Sequence, residues 1–507
     1  MLSIIFISIF FIIIFLINAK NFGVKSFDEY ATARGSFGVI AISLAVFSTW
    51  YVGATFTAFA GYSVGYGFMG MYVLSYATLT MLSLYLVAEK SYIWGKKYHI
   101  STQAELMDLR YKSKAVRVIV GVAGVAFTAP WLLMEWITQG FVFSYATGGT
   151  ISPVIGMLIG IVVVLAYVSF GGMKSVITAN IFQGAFMFFV GITVMFYMIF
   201  KFFGGFNEGM ATLVQKYPET LTFPGPGWEM PTAFWTSIII TSGLGGFMWP
   251  WVFNKIFASD SIRSIKQSAL IAPIIGAVFY VVFQFLGNFL YIFETARMNP
   301  EEAFLWAAAE AGPLVMAVLS TVVMATSIAT VSGIIQAMST SISRDVAGVI
   351  KRDISEKSAI TIARISVVAI GTICAFMATV DVGALINIAL LTYQGIIMIF
   401  PVVLLGLYWK RANKEGALVG MIVGTIISMS LTVMNPSFIG SLGWTPGVYG
   451  LITVFVIMII YGAAKPVEQH VEQLWTDVED ARTTKRKKIF AAKNPEAETV
   501  ILSEKIK

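Results

Sequence analysis

Long apolar runs without a charged residue set the limits on what this chain can fold into. Residues 2–18, LSIIFISIFFIIIFLIN, carry no charge, and neither do 153–171, 177–200, 383–408 or 416–435. A bilayer core of roughly 30 Å is crossed by about 20 apolar helical residues. Only 12% of the 507 residues are charged, against about 25% in soluble domains. These features predict an all-α, polytopic membrane protein.

The same pattern predicts about thirteen transmembrane helices in one domain, residues 1–464, followed by a polar tail, 465–507. Residues 2–18 have the length of a signal peptide, but they lack a basic n-region and a small-residue cleavage site. We therefore expect them to be retained as the first span. The spans are expected near 2–18, 37–60, 69–88, 118–146, 153–171, 177–200, 233–257, 268–294, 312–342, 359–379, 383–408, 416–435 and 447–464.

The basic balance of the chain, a net charge of +7, is explained by topology. If the first span runs from outside to inside, the outside loops hold only three of the 34 lysines and arginines, namely Lys201, Lys216 and Arg297. Cytoplasmic loops normally carry the excess of basic residues. This distribution predicts a plasma-membrane protein with its N-terminus outside and its C-terminus in the cytoplasm. It argues against a nucleic-acid partner.

Few residues suited to catalysis or metal binding lie in the predicted spans. Cys374 is the single cysteine, so the sequence offers no disulfide framework and no thiolate cluster. His99 and His470 both fall outside the spans, which argues against haem ligands inside the bundle. No nucleophile–base pair is apparent in the spans. We therefore expect neither an enzyme nor a resident cofactor.

Two spans are predicted to be broken near the middle of the bilayer. Span 2 contains FSTWYVGATFTAFAGYSVGYG, and span 7 contains TSGLGGFMWPW. Glycine and proline also favour close helix packing in membranes, but irregular backbone at this depth lies buried in protein or lines a cavity. Span 2 opens one set of five helices and span 7 opens a second. Interrupted helices at matching positions predict a five-plus-five inverted repeat with a midplane solute site.

Span 9, STVVMATSIATVSGIIQAMSTSISRD, is rich in hydroxyl side chains. Thr326 and Thr330 are four residues apart and share a helix face. A sodium ion needs several oxygen ligands without a strong negative field, which hydroxyls and the carbonyls of a broken helix supply. The alternative is that these hydroxyls bond only to carbonyls of their own helix.

Glu135 is the one carboxylate placed well inside a span, in PWLLMEWITQG. Its burial is costly, so we expect it to face a cavity or a partner. It then serves either as a solute or proton contact or as a structural hydrogen-bond acceptor.

Three segments outside the spans have predictable structure. The loop 201–232 carries KYPETLTFPGPGWEMP and is expected to form an ordered cap or lid. The loop 89–117 is expected to hold a short interfacial helix capped by Ser101. The tail is expected to form a solvated helix, or alternatively to touch anionic lipid headgroups through Lys485, Arg486, Lys487 and Lys488.

The segment 406–426, GLYWKRANKEGALVGMIVGTI, resembles the signature of the sodium:solute symporter family. Its fixed positions are filled by Arg411, Gly416, Ala417, Gly420 and Gly424. SFGGMKSVITANIFQG, which ends near Gln183, and ATSIATVSGIIQAMSTSISRD in span 9 are also similar to family segments. The resemblance extends over about residues 5–465.

This resemblance implies the leucine-transporter-type fold and sodium-coupled import of a small organic solute, such as a monocarboxylate or an amino acid. The oligomeric state is left open. The implied cation-binding residues are Ser48, Tyr51, Thr326, Ala329 and Thr330. The implied solute-binding residues are Thr49, Trp50, Gly53, Glu135, Gln139, Phe247, Trp249, Tyr393 and Gln394, and Trp136 and Trp251 are further pocket candidates.

Two positions depart from the pattern of the family. Ala329 stands where many members have a hydroxyl residue, and Asn180 stands where an acid linked to ion release is usual. Ala329 together with Gly333 is more similar to the acetate/monocarboxylate branch. These departures leave a proton-coupled symporter as an alternative, in which Glu135 is the candidate proton contact. A solute sensor is the second alternative, although the chain ends 43 residues after Ala464 without a signalling domain.

Overall fold

The computed structural model describes residues 1–351, 354–379, 385–434 and 442–493, and the regular structure in these ranges is helical apart from one bridge between Phe37 and Ser259. The first half contains α1 (Leu2–Ala19), α2 (Phe27–Thr32), α3 (Val39–Trp50), α4 (Ala58–Tyr66), α5 (Tyr72–Tyr98), α6 (Gln103–Tyr111), α7 (Lys114–Ala126), α8 (Ala129–Ala146), α9 (Pro153–Phe186), α10 (Ile192–Phe203), α11 (Phe206–Lys216) and α12 (Thr232–Phe247). The second half contains α13 (Pro250–Phe253), α14 (Lys255–Ala258), α15 (Ile262–Leu290), α16 (Glu294–Met298), α17 (Ala303–Ala311), α18 (Pro313–Ser341), α19 (Gly348–Ile350), α20 (Glu356–Met377), α21 (Leu385–Ile396), α22 (Ile399–Tyr408), α23 (Lys414–Met434), α24 (Pro446–Ala464) and α25 (Gln469–Lys493).

Ten helical segments in the described part of the chain are long and apolar enough to cross a membrane. Two shorter apolar helices, Val39–Trp50 and Pro153–Ala166, add to them. The all-α, polytopic class is therefore confirmed, whereas the number of thirteen spans stays a prediction. The predicted span 383–408 begins outside the described residues and continues as α21 and α22.

Helix α18 lies at the centre of the bundle. In the most apolar stretch of this span, 89% is buried inside the protein, which is the largest share among the candidate spans in the described residues. It packs against α1, α3, α8, α9 and α20. Because its hydroxyl residues are enclosed by other helices, they face protein rather than lipid.

The predicted boundary between spans 5 and 6 is present as a kink inside α9. Gly172 has non-helical backbone angles, and two helices meet there. Gly172 has φ 56°, and a Cβ there would lie 2.7 Å from the carbonyl oxygen of Tyr30. Glycine fits this position because it accepts a positive φ and has no side chain to clash.

Both predicted helix breaks are present. Span 2 consists of α3 and α4, joined by an irregular segment and a 3-10 turn over Gly53–Phe56. Span 7 consists of α12 followed by the short α13 and α14, with Trp249 in an extended conformation at φ −59° and ψ 130°. Pro250 follows as the first residue of α13, where its missing N–H leaves no intrahelical bond unmade.

The loop between α10 and α12 is ordered, as predicted. It contains α11, and its C-terminal part packs on the end of α4. The ring of Trp228 lies 5.8 Å from that of Tyr62 and 5.4 Å from that of Tyr66. We refer to this end of the bundle as the loop end and to the other, where α6 and α25 lie, as the tail end.

The interfacial helix predicted in the loop 89–117 exists as α6, but Ser101 is not its cap. Thr102 is the N-cap, and its hydroxyl accepts a hydrogen bond from the amide of Glu105 at 3.0 Å. The amide of Ser101 donates to the Glu105 carboxylate at 2.7 Å, which completes a reciprocal pair of capping bonds. The cap lies one residue later than predicted because both residues have hydroxyls and the sequence does not separate them.

Charged side chains tie α6 and α7 to the tail end of α18. Arg117 donates to Asp345 at 3.0 Å and to Glu105 at 2.9 Å, and the hydroxyl of Thr102 donates to Asp345 at 2.8 Å. Asp345 is fully buried, so its charge is compensated by these partners.

The tail is helical as predicted, but α25 is docked on α5 rather than fully solvated. The indole N–H of Trp94 donates to the carbonyl of Leu474 at 2.9 Å. Asp477 accepts from Lys97 at 2.6 Å and from the Tyr98 hydroxyl at 2.5 Å. The predicted lipid contacts of Lys485 to Lys488 lie outside the described side chains.

Asp477 stabilises the docked tail through its charge. Burial by itself raises the pKa of its carboxyl, but the donors Lys97 and Tyr98 outweigh burial and hold the pKa below its ordinary value. The stabilisation is therefore fully present at neutral pH and is lost as the pH falls through this lowered pKa.

We predict that Asp477→Ala detaches α25 from α5. The change removes a charged acceptor, and each such bond contributes about 1.5–3 kcal/mol, so amide hydrogen exchange in α25 should accelerate roughly tenfold or more. Hydrogen–deuterium exchange measures this effect. Glu479→Ala is the matched control, because Glu479 is an exposed acid of the same helix that pairs with Arg482 at 3.0 Å and not, in the described part of the chain, with α5. Equal protection of α25 in the two variants would contradict the assigned role of Asp477.

Candidate functional site

The break in span 2 is held by the carboxylate of Glu135 on α8. The amide of Gly53 donates to one carboxylate oxygen at 3.1 Å, and the amide of Ala54 donates to the other at 3.0 Å. Glu135 has no solvent exposure. Because backbone amides freed at a helix break have no water to bond at this depth, a carboxylate on a neighbouring helix satisfies them. The structure thus uses Glu135 as a structural acceptor.

Gly53 also brings span 2 against α18. A Cβ at Gly53 would lie 2.4 Å from the Cβ of Ser327 and 2.7 Å from a carboxylate oxygen of Glu135. The Ser327 hydroxyl accepts from the amide nitrogen of Gln139 at 2.9 Å. Any side chain at position 53 would therefore push apart the three helices that meet at the break.

The break in span 7 lies against the end of α3. A Cβ at Gly246 would lie 2.9 Å from the ring of Trp50 and 3.5 Å from the ring of Trp249. The two indole rings themselves are 6.0 Å apart. The two broken helices thus meet at Trp50 and Trp249, as their predicted places in the two halves require.

An aromatic cluster, defined here as Trp50, Tyr76, Trp131, Trp249, Trp251 and Tyr393, fills the space between the breaks. The ring of Trp249 lies 4.7 Å from that of Trp131, 4.9 Å from that of Tyr393 and 4.4 Å from that of Trp251. Tyr76 connects the two sides, at 5.6 Å from Trp50 and 6.0 Å from Tyr393. Five separate spans contribute to this cluster, so its form depends on how they pack.

Most polar atoms of the aromatic cluster have no protein partner. The indole nitrogens of Trp50, Trp131, Trp249 and Trp251 and the hydroxyl of Tyr393 are buried without a hydrogen bond to the described residues. Buried polar groups are normally paired, and orphans mark a ligand, an ion or water. The cluster therefore has the properties of a ligand site: large apolar faces and several free donors.

The predicted cation-binding residues lie on α3 and α18, which pack against each other. The last regular backbone bond of α3 runs from the Tyr51 amide to the Phe47 carbonyl at 3.1 Å. The carbonyls of Ser48 and Tyr51 lie at the end of the helix, where no following turn supplies a donor. Backbone oxygens are therefore placed at the break, as an ion site of this type requires.

On α18, the Thr330 hydroxyl donates to the Thr326 carbonyl at 3.1 Å, which leaves the hydroxyl oxygen available to a cation. Contacts of α18 with span 2 lie on both sides of Thr330 along the helix. Ser327 touches the Gly53 position, and a Cβ at Gly333 would lie 3.6 Å from Thr49. At 100° per residue, Thr330 lies between Ser327 and Gly333 both along and around the helix. Ala329 contributes only its backbone.

Gln394 and Phe247, which are among the residues predicted to bind solute, make contacts other than with the aromatic cluster. Gln394 uses its side-chain oxygen to accept from the Gly447 amide at 2.6 Å, and its side-chain nitrogen donates to the Leu390 carbonyl at 3.0 Å. It joins α21 to α24. Phe247 packs on Phe253 beside the break, with ring centroids 5.4 Å apart. Trp136 is buried with an unpaired indole nitrogen but makes no ring contact with the cluster.

Three residues of the site were missed in the sequence. Trp131 and Tyr76 are apolar-span aromatics that resemble packing residues until their helices are assembled. Lys255 lies two residues from the predicted end of span 7, where a lysine resembles an interfacial anchor. In the structure it is 3% exposed, and its ammonium donates to the Thr49 hydroxyl at 2.8 Å.

Comparison with known proteins gives a consistent classification. The sequence profile described as "Sodium:solute symporter family" matches residues 30–424. Among curated relatives, an uncharacterized symporter of Bacillus subtilis (strain 168), YhjB, is 22% identical over 429 residues, which cover 83% of this chain and 87% of the relative. A second, YwcA of the same organism, is 25% identical and covers 82% of each chain.

Solved structures agree on the fold. A Na+-coupled sialic acid symporter in a substrate-bound, outward-open state superposes with a TM-score of 0.77 at 18% identity, covering 92% of this chain and 99% of that one. Mhp1, a nucleobase-cation-symport-1 family transporter, superposes in a closed conformation with a TM-score of 0.59 at 13% identity, covering 88% and 98%. The chain thus has the leucine-transporter-type fold.

We predict that Glu135→Ala destabilises the protein strongly, because it leaves the buried amides of Gly53 and Ala54 unpaired. An unsatisfied buried group costs about 1–3 kcal/mol, so a fall in the unfolding temperature is expected in detergent. Glu135→Gln retains one acceptor oxygen, so its unfolding temperature should lie between those of the wild type and Glu135→Ala. Glu310→Ala, at an exposed acid of α17, serves as the control. A Glu135→Ala protein as stable as this control would show that water, not Glu135, satisfies the break.

Proposed function

The chain belongs to the sodium:solute symporter family, and from this we propose that it is a secondary transporter that couples sodium entry to import of a small organic solute. A monocarboxylate or an amino acid is the expected class. The observation that carries the proposal is the meeting of two broken spans at a cluster with unpaired donors, beside the carbonyls at the end of α3 and the hydroxyl of Thr330 on α18.

The proposed sodium site uses the carbonyls of Ser48, Tyr51 and Thr326 and the hydroxyl of Thr330, with Ala329 in the surrounding backbone. These are neutral oxygens from two helices that pack against each other. Such a set suits a monovalent, hard cation, because it replaces hydration oxygens without a strong negative field. The site also links the two repeats, since α3 belongs to the first and α18 to the second.

The missing acid at position 180 has a neutral substitute. Asn180 and Gln183 are both fully buried on α9, and their amide oxygens have no partner among the described residues. One residue further, a Cβ at Gly184 would lie 3.3 Å from Ser48. Asn180 thus lies one turn from the proposed ion site and offers an oxygen on a path from that site to the tail end.

The proposed solute site is the aromatic cluster, together with Thr49 and the break at Gly53. Binding there contacts both broken helices at once, so it favours conformations in which the two repeats close on the solute. Coupling follows only if sodium favours the same conformations. Rocking of one repeat against the other then exposes the site to each side of the membrane in turn.

The charge distribution supports an orientation with the tail end in the cytoplasm and the N-terminus outside, in the plasma membrane. Import therefore runs from the loop end to the tail end. The engagement of both Glu135 oxygens at the break favours a structural role of this carboxylate over a role in proton coupling.

We predict that solute uptake stops when sodium is replaced by choline at fixed pH. Proteoliposomes containing the purified protein are tested with a labelled series of small monocarboxylates and amino acids, and accumulation is followed with and without an inward sodium gradient. Undiminished uptake in choline that is abolished by collapsing the proton gradient would establish proton coupling instead. Solute binding without any flux would identify a sensor.

We predict that Thr330→Ala raises the sodium concentration for half-maximal uptake by roughly tenfold or more, because a bond to a charged group contributes about 1.5–3 kcal/mol. Thr321→Ala is the matched control. Thr321 is buried in the same helix and makes the same type of bond, to the Ala317 carbonyl at 2.8 Å, but it faces away from Thr330. Equal sodium dependence of the two variants would place the ion elsewhere.

A further inference from the structure

Lys255 is a buried cation without a counter-charge. It begins α14, just after the break in span 7, and is 3% exposed. Its ammonium donates to the Thr49 hydroxyl at 2.8 Å and to the Trp251 carbonyl at 3.0 Å. Within the described ranges, no acidic side chain forms an ion pair with it.

An unpaired charge in a protein interior is unfavourable, since burial removes its hydration without supplying an opposite charge. A lysine ammonium has three donors, and the two neutral acceptors leave one unused. Thr49 does not need the contact, because its own hydroxyl donates to the Ala45 carbonyl at 2.7 Å. Lys255 therefore has neutral acceptors but no anionic partner among the described residues.

The groups around Lys255 also lack acceptors. Trp251, whose carbonyl binds the ammonium, stacks on Trp249, and Trp249 faces Trp50. The indole nitrogens of all three residues are buried and unpaired. An indole N–H only donates. A lysine and three indoles thus form a region with surplus donors next to large apolar ring faces.

This surplus discriminates between the solute classes that the proposed function leaves open. A carboxylate finds a charge partner in Lys255 and donors in the indoles. The ammonium group of an amino acid finds no free acid, because the nearby Glu135 already accepts from Gly53 and Ala54. A sugar leaves the charge of Lys255 uncompensated.

We propose that Lys255 binds the carboxylate of the transported solute, which is an organic monocarboxylate without an amino group. Its apolar part lies against the rings of Trp50 and Trp249. This inference rests on the proposed function, and it assigns a specificity residue that neither the sequence signature nor the sodium site contains. One sodium ion and one monocarboxylate together add no net charge to the site.

The test is a thermal-shift series on the purified full-length protein, with and without sodium. The probes are propionate, pyruvate, lactate and phenylacetate, each paired with its amide, together with alanine and phenylalanine. Stabilisation grows with ligand concentration over Kd. In the wild type we expect at least one carboxylate to stabilise, and its amide and the amino acids to have no effect.

Lys255→Met should weaken carboxylate binding by tenfold or more, while Lys255→Arg should retain part of it. Lys266→Met is the control, since Lys266 pairs with Glu89 at 3.2 Å on α5, outside the aromatic cluster. Without ligand, Lys255→Met should be at least as stable as the wild type, because an unpaired charge is replaced by an apolar side chain of similar length.

The proposal is wrong if no carboxylate of the series stabilises the wild type, if Lys255→Met responds to the carboxylate as the wild type does, or if Lys255→Met is destabilised without ligand. The last result would make Lys255 a structural residue. Sodium-dependent stabilisation by an amide or amino acid would overturn this proposal and leave the symport proposal standing. Carboxylate binding together with sodium-independent uptake would leave this proposal standing and overturn the proposal of sodium symport.

Discussion

Two backbone amides at the break of span 2, those of Gly53 and Ala54, donate to one carboxylate, that of Glu135. A bilayer interior supplies no water to a broken helix, so an interruption persists only where protein groups replace the missing bonds. With these bonds made, the carbonyls at the end of α3 can face inwards. Gly53 has a second part in the arrangement, because the absence of a side chain lets Ser327 of α18 approach the break. The position of the proposed ion site between α3 and α18 follows from these contacts.

The second break is organised differently. Among the described residues no carboxylate accepts from its backbone amides. Instead, Pro250 begins the short helix without an N–H to satisfy, and Gly246 lets Trp50 approach. The space beside it is filled by indole and phenol rings that leave their donors free. One break thus carries a compensated negative charge and the other an uncompensated positive one on Lys255. The two breaks differ in the residue beside them, an acid engaged by amides at one and a lysine with neutral acceptors at the other.

At the tail end of the bundle, several charged side chains form ion pairs. Arg117 joins Glu105 and Asp345, and Asp477 joins Lys97. These contacts connect α6 and α7 to the segment that follows α18, and α25 to α5, at the end to which the solute is proposed to be released. Asp345 is buried beside the charge of Arg117, whereas Lys255 has no acidic partner among the described residues and donates to the Thr49 hydroxyl and the Trp251 carbonyl.

Hydropathy alone determined that the chain is a helical membrane protein, since apolar length is a local property of the sequence. The glycines and Pro250 located both breaks, because they act on the backbone of their own segment, and the 406–426 signature indicated the family. The contact partners of individual side chains, by contrast, lie far away in the sequence. Glu135 was recognised as costly to bury, but only packing showed that its task lies 81 and 82 residues away, at Ala54 and Gly53. Gln394 was expected at the solute site and instead holds Gly447. Lys255 and Trp131 were missed, because a lysine near the end of a span resembles an anchor and a tryptophan resembles packing. Which donors remain free is known only after every helix has taken the partners within its reach, and that was decided by the tertiary structure.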